Sequence, residues 1–189
     1  MSPWQIIGIA SLTLVLLFGL AVLLRNPTKS ADTISLHIAS KRHYFIIAAL
    51  LLTFAGGAFY GFLLFWLLPS YQLPNFVYWV IISSFFAQLI VAWIPANSLR
   101  ERSKVKTLHT FGGILVGTAM IICIWAVVLF GNNIPSISYA VAIITAIVGT
   151  ACYITLILGL WRYKQLLLIS EITMIGLFSI TLLLLALQL

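Results

Sequence analysis

The chain has 189 residues, of which 63% are hydrophobic and 7% charged. Soluble domains carry about 45–50% apolar and about 25% charged residues, so a water-soluble globule and a disordered chain are both excluded. A disulfide scaffold is excluded too, because the two cysteines, Cys123 and Cys152, lie inside apolar runs, and the meaning of the +7 formal charge depends on where the bases sit.

Crossing a bilayer core as a helix takes about 20 mostly apolar residues. Six runs meet that requirement, at 4–24, 44–68, 76–94, 110–130, 137–160 and 166–187. They are too long and too uniformly apolar for barrel strands, and backbone groups in lipid must be paired internally. The sequence therefore predicts an all-α, polytopic membrane protein: one six-helix bundle spanning 1–189. Turn-forming residues fill the gaps: Asn26-Pro27, Leu68-Pro69, Leu73-Pro74, Ile94-Pro95, and Gly131 to Asn133 with Pro135. The first run reads as a retained helix rather than a cleaved signal, since it lacks a basic start and is followed by Arg25. The first connection is the longest, and it is expected to lie along the cytoplasmic surface with Ile34, Leu36 or Ile38 partly dipped into the interface.

The bases fall in three connections only. Arg25, Lys29, Lys41 and Arg42 occupy the first, Arg100, Arg102, Lys104 and Lys106 the third, and Arg162 and Lys164 the fifth. Short cytoplasmic loops are enriched in Lys and Arg. The connections 25–43, 95–109 and 161–165 are thus expected in the cytoplasm and both termini outside. Anionic lipid headgroups, not nucleic acid, are the partners that such membrane-hugging bases suit. Trp4, Trp66, Tyr71, Trp79, Trp93, Trp161 and Tyr163 fall near run ends, where aromatic rings anchor at headgroup level.

Small residues recur at helical spacing in three runs: Ala49, Thr53, Gly57 and Gly61 in the second; His109, Gly113 and Gly117 in the fourth; Ser138, Ala142, Thr145, Gly149, Cys152, Thr155 and Gly159 in the fifth. Close backbone approach through such residues drives helix association in lipid. The fifth helix is expected to be the most enclosed, and the bulkier first, third and sixth helices to face lipid. A homo-oligomer or a larger membrane complex is the other use of such faces.

Glu171 is the one acid inside a run, at a cost of about 2.5–3.5 kcal/mol for a central position. By depth along the helices, Gln88, His109 and His43 belong to the same cytoplasmic layer. A ligand or proton site built from Glu171, Gln88, His109 and His43 is one reading; a neutral, hydrogen-bonded Glu171 bracing the bundle, most simply through Gln88 or His109, is the other. No Lys lies within a run, and HExxH, CxxC and Walker patterns are missing, which removes support for Schiff-base, zincin, thiol-redox and nucleotide chemistry. No catalytic residue, metal site or cofactor is expected, the one exception to weigh being a haem held by His43 and His109.

Pro95-Ala96-Asn97 ending the third run, Leu108-His109 opening the fourth, Thr33-Ile34-Ser35-Leu36 after the first and Gly159-Leu160-Trp161-Arg162 before the last together resemble a six-helix bacterial membrane family of unknown function, itself distantly similar to DRAM and Sfk-type membrane proteins. Where that family often carries an acid after the Ile-Ser pair, this chain has Leu36. The resemblance implies a six-helix bundle in a prokaryotic cytoplasmic membrane and no settled reaction. Three functions remain in competition: a non-enzymatic protein that binds or moves a small molecule, ion or lipid through the bundle; a structural or accessory subunit; and a haem- or quinone-linked redox protein. The topology is directly testable. In a cysteine-free background, Gln72→Cys and Asn132→Cys should react with an impermeant maleimide from outside and Ser103→Cys should not; the reverse pattern overturns the orientation.

Overall fold

The structure, a computed structural model, describes residues 1–25, 42–94, 104–161 and 166–189. Six helices are long and apolar enough to cross a membrane, and no strand occurs among the described residues. They are α1 (Pro3–Arg25), α2 (Arg42–Ser70), α3 (Asn75–Trp93), α4 (Lys104–Phe130), α5 (Ser136–Trp161) and α6 (Leu167–Leu187). The apolar runs matched these bounds to within two residues except at α4. That helix begins at Lys104, six residues before its apolar run, because Lys and Val continue a helix that apolarity alone does not register. The Thr33–Ala39 stretch, the Pro95-Ala96-Asn97 turn and the bases between 26 and 41, 95 and 103, and 162 and 165 lie outside the described residues.

Each helix packs on its neighbours in the chain, and α1 closes on α6, so the six form a ring. The most extensive contacts are within the pairs α1–α2, α3–α4 and α5–α6. The molecule is therefore three antiparallel hairpins side by side. The connections between hairpins, 71–74 and 131–135, lie on the side that carries both chain ends, hereafter the terminal face. The helix ends Arg25, Arg42, Trp93, Lys104, Trp161 and Leu167 lie on the opposite face, hereafter the basic face.

The core is concentrated toward the terminal face. Its centre is the end of α2, where residues Leu63–Leu67 form a π-helical turn ahead of Pro69, with the Leu68 N–H reaching back to Leu63 O. Pro69 has no N–H to offer the helix, and the widened turn accommodates it. It also turns Trp66, Leu67 and Leu68 all inward. Phe62 stacks on Trp66 at 5.3 Å, and Trp66 meets Tyr71 edge-on at 6.0 Å. Trp66 and Tyr71 are thus core residues, 9% and 3% exposed, and not surface anchors. The π turn, invisible to hydropathy, is the reason. Trp4, Trp79 and Trp93 do stay exposed.

Enclosure also differs from expectation. The fifth helix is not the most enclosed: 22% of its apolar window is buried, against 44% for α6. α6 inserts Phe178, Thr181, Leu182, Leu185 and Ala186 into the core, and chain bulk, which suggested a peripheral helix, serves instead to fill the space beside the α2 aromatics. α1, with 17% of its window buried, is peripheral as expected.

The glycines divide into clamps and open positions. Gly8 of α1 sits on the Phe62 ring, and a Cβ there would lie 2.3 Å from Phe62 Cγ. Gly61 receives Trp4 and Gly117 receives Tyr153 in the same way. Gly113, by contrast, has nothing within 4 Å, and the close approach belongs to Gly112, against Ala87 O and Val91. Gly57 makes an ordinary contact with Phe85 while Gly56 is the one pressed on Gln88. Gly149 makes an ordinary contact with Ile121. Gly8→Ala should lower the thermal unfolding midpoint of the purified protein, because Phe62 is 2% exposed and has nowhere to go; overpacking typically costs about 1–3 kcal/mol. Gly19→Ala, with nothing within 4 Å, should not lower it. Equal midpoints for the two variants would contradict the clamp.

Candidate functional site

Polar side chains in an apolar bundle must find partners, and those partners map the seams of the ring. At the α2–α3 seam, Tyr60 and Ser84 share a hydroxyl–hydroxyl bond of 2.7 Å, the Gln88 amide donates to Leu52 O at 2.9 Å, and Trp93 Nε1 donates to Thr53 Oγ1 at 3.0 Å. At the α4–α5 seam, Tyr153 lies across Gly117, donates to Ile114 O at 2.9 Å and meets Thr118 Oγ1 at 2.6 Å. Trp125 Nε1 donates to Thr150 Oγ1 at 3.0 Å in the same seam. At α5–α6, Thr145 and Thr181 pair at 2.7 Å, and both are buried.

The terminal face is tied most densely. Tyr71 OH donates to Leu185 O at 2.7 Å, while Tyr71 O accepts the Asn132 N–H at 3.0 Å. Asn132 Nδ2 donates to Gln72 Oε1, so the two inter-hairpin connections grip each other. Gln72 and Asn133 take the left-handed backbone conformation that these short turns require. Gln5 Nε2 donates to Ala186 O at 2.9 Å, and the Ser138 backbone N–H and hydroxyl both donate to Leu189 O. Burial pushes the Tyr71 phenol above its ordinary pKa, which keeps it a donor.

The residues singled out for chemistry lie toward the basic face but at different seams. Gln88 belongs to α2–α3 through its bond to Leu52 O. His109 caps its own hairpin: Nδ1 lies 2.5 Å from Ile94 O, and since a carbonyl only accepts, Nδ1 carries the proton. His43 is exposed at the start of α2, with its ring 4.3 Å from that of Tyr44. α3 stands between α2 and α4 in the ring, separating the helices that carry His43 and His109. Glu171 is half-buried on α6 and is not without a partner. Beside it, Ser170 is buried. Thr145 is bonded to α6 and Cys152 is half-buried on α5.

Of the seam residues, Tyr60, Tyr153 and Gln5 escaped the sequence reading, while Tyr71 and Thr53 entered it only as a surface anchor and as part of a packing stripe. Their signal was present: each is a hydrogen-bonding side chain inside or beside an apolar run, which requires a partner on another helix or in the backbone.

No protein-family model matches the chain, and neither a curated protein nor a solved structure matches it.

Tyr71 offers a clean separation of bond from ring. Tyr71→Phe should cost about 1 kcal/mol, the usual worth of one hydrogen bond, whereas Tyr71→Ala should cost about 3–5 kcal/mol by emptying a core position. Thermal or chemical unfolding of the two variants measures the difference; equal losses would mean that the hydroxyl, not the ring, holds the terminal face.

Proposed function

We propose that this is an integral membrane protein whose six helices cross a prokaryotic cytoplasmic membrane with both termini outside, and that it binds an amphipathic, membrane-soluble molecule in the half of the bundle nearest the basic face. The observation that carries the binding reading is a gradient of packing. Among the described residues, the largest fully buried side chains are Phe62, Leu67, Leu68, Ile81, Val77, Ile124, Val127, Thr181, Leu182 and Leu185 toward the terminal face, and only Leu167 toward the basic face. In the basic half the buried positions of α2, α3 and α4 are instead small: Ala48, Ala49, Ala87, Ala92 and Gly112. A bundle needs side chains or an occupant to satisfy dispersion at its centre; among the described residues the terminal half is filled by aromatics and leucines, while in the basic half the large buried side chains come from α6 alone, at Leu167, Leu168 and Met174.

Two further features support the reading. Half-buried Glu171 and buried Ser170 supply polar groups at that depth, and apolar walls with a few polar groups are the usual make-up of a small-molecule site. By sequence, all ten Lys and Arg residues fall within the connections 25–43, 95–109 and 161–165, which suits an anionic headgroup. The scarcity of nucleophiles and paired acids inside the runs favours binding or movement over catalysis.

Purification in mild detergent followed by native mass spectrometry and lipid analysis tests this. The expected result is a lipid or similar amphiphile retained at a defined stoichiometry, with Glu171→Gln changing its retention or the pH dependence of retention while leaving the unfolding midpoint unchanged. Absence of any retained or added amphiphile above non-specific background would leave a structural or accessory role as the better reading, and a Soret band in the absorption spectrum would favour the haem alternative.

A further inference from the structure

Two hydroxyls meet at the middle of the α2–α3 seam. Ser84 is the central residue of α3, nine residues from either end. Tyr60 lies ten residues, about 15 Å, from the end of α2. They are 4% and 6% exposed, and their oxygens stand 2.7 Å apart. Hydroxyls elsewhere in the spans turn back on their own helix: Thr53 donates to Ala49 O, Thr150 to Ala146 O and Thr181 to Leu177 O. Ser84 instead reaches across to α2. A contact between two hydroxyls uses one of their two protons. The second proton is left for another acceptor, and the described bonds give neither residue a second partner. A buried donor without an acceptor is costly.

The pair stands where the packing changes. The next buried positions on the two helices are Phe62 and Ile81 toward the terminal face, but Gly56 and Ala87 toward the basic face. Gln88, one turn beyond Ser84, gives one amide N–H to Leu52 O above Gly56 and keeps a second. No span brings a charged residue to this depth. Asp, Glu, Lys and Arg are absent from 1–24, 43–99, 107–161 and 172–189, and Glu171 lies only four residues, about 6 Å, into α6. An ionised group beside Ser84 would lack a counter-charge in a medium that penalises it. We infer that the Tyr60–Ser84 pair is the inner, polar end of the binding space and donates its remaining proton to an uncharged carbonyl oxygen of a membrane-soluble ligand. This rests on the binding reading above and adds the contact residues and the ligand chemistry. Apolar walls with one placed donor fix the orientation of such a ligand. A quinone and an ester lipid are the two sources of that carbonyl.

The test uses the full chain in mild detergent with two probes, decylubiquinone and dioctanoylglycerol, each isotopically labelled at a carbonyl. Infrared difference spectra of the bound probe should show the carbonyl band moved to lower wavenumber, the signature of an accepted hydrogen bond. A move with decylubiquinone alone identifies a quinone as the source, and a move with dioctanoylglycerol alone an ester lipid. Tyr60→Phe combined with Ser84→Ala removes both hydroxyls and strands neither. It should return the band to its position in detergent and weaken binding roughly tenfold. A bound probe whose band does not move in the unaltered protein overturns the inference, and this spectrum decides alone if the double variant does not fold. Unchanged affinity in a folded double variant overturns it too and makes the pair a brace between α2 and α3. If neither probe binds, the carbonyl assignment falls, while an amphiphile retained through purification would keep the binding reading standing.

Discussion

Everything on the terminal face turns on Tyr71. Its ring is packed edge-on against Trp66, its hydroxyl donates to Leu185 O, and its carbonyl accepts from Asn132 N–H. One residue therefore touches all three hairpins: it ends the first, binds the last helix of the third, and grips the connection between the second and third. A buried phenol or carbonyl without a partner costs free energy comparable to a lost hydrogen bond or more, so these positions are tightly coupled. If the α2 end shifts, Leu185 O and Asn132 N–H both lose a partner. The π-helical turn before Pro69 is what delivers Tyr71 to this place, and the stack of Phe62 and Trp66 fixes its ring.

That constraint explains why the molecule is asymmetric from one face to the other. The connections between hairpins are short, and they hydrogen-bond to each other on the terminal side. On the other side, the described ties between hairpins are side chains such as Gln88, Trp93 and Tyr153. At α6–α1 the described side-chain tie, Gln5 to Ala186 O, lies at the terminal rim. Large buried side chains follow the same division, being gathered where the hairpins are already joined.

The fold was legible because hydropathy and helix length are strong, local signals: five of six helices begin and end within two residues of the apolar runs. The less legible features depend on tertiary geometry. Gly56-Gly57 and Gly112-Gly113 are doublets, and spacing alone chose the second glycine of each where packing uses the first. The same residue count cannot tell a helix that carries bulk toward lipid from one that carries it into a core, which is why α6 was misplaced and α5 overrated. The candidate site suffered from a different gap. Depth along a helix follows from the sequence, but angular position around a ring does not. Gln88 and His109 share a layer with Glu171 in projection, yet their described bonds go to α2 and to Ile94 at the end of α3. Backbone carbonyls, which no side-chain pattern announces, proved to be the commonest partners of the polar groups.

The ring order has a consequence for biogenesis. Every helix packs on the one before it, so each newly made span finds its partner already in place, and the contacts within hairpins are short in sequence separation. Such local pairings form early and fast. The longest-range contacts are made by α6, which bonds to Gln5 of α1 across 181 positions and to Tyr71 across 114. Until α6 emerges, α1 has one completed flank and one unpaired flank. Quality control of this chain thus has a natural checkpoint, since a nascent or truncated product lacking α6 exposes Gln5 without its acceptor, and Tyr71 without its own, on the same face of the molecule.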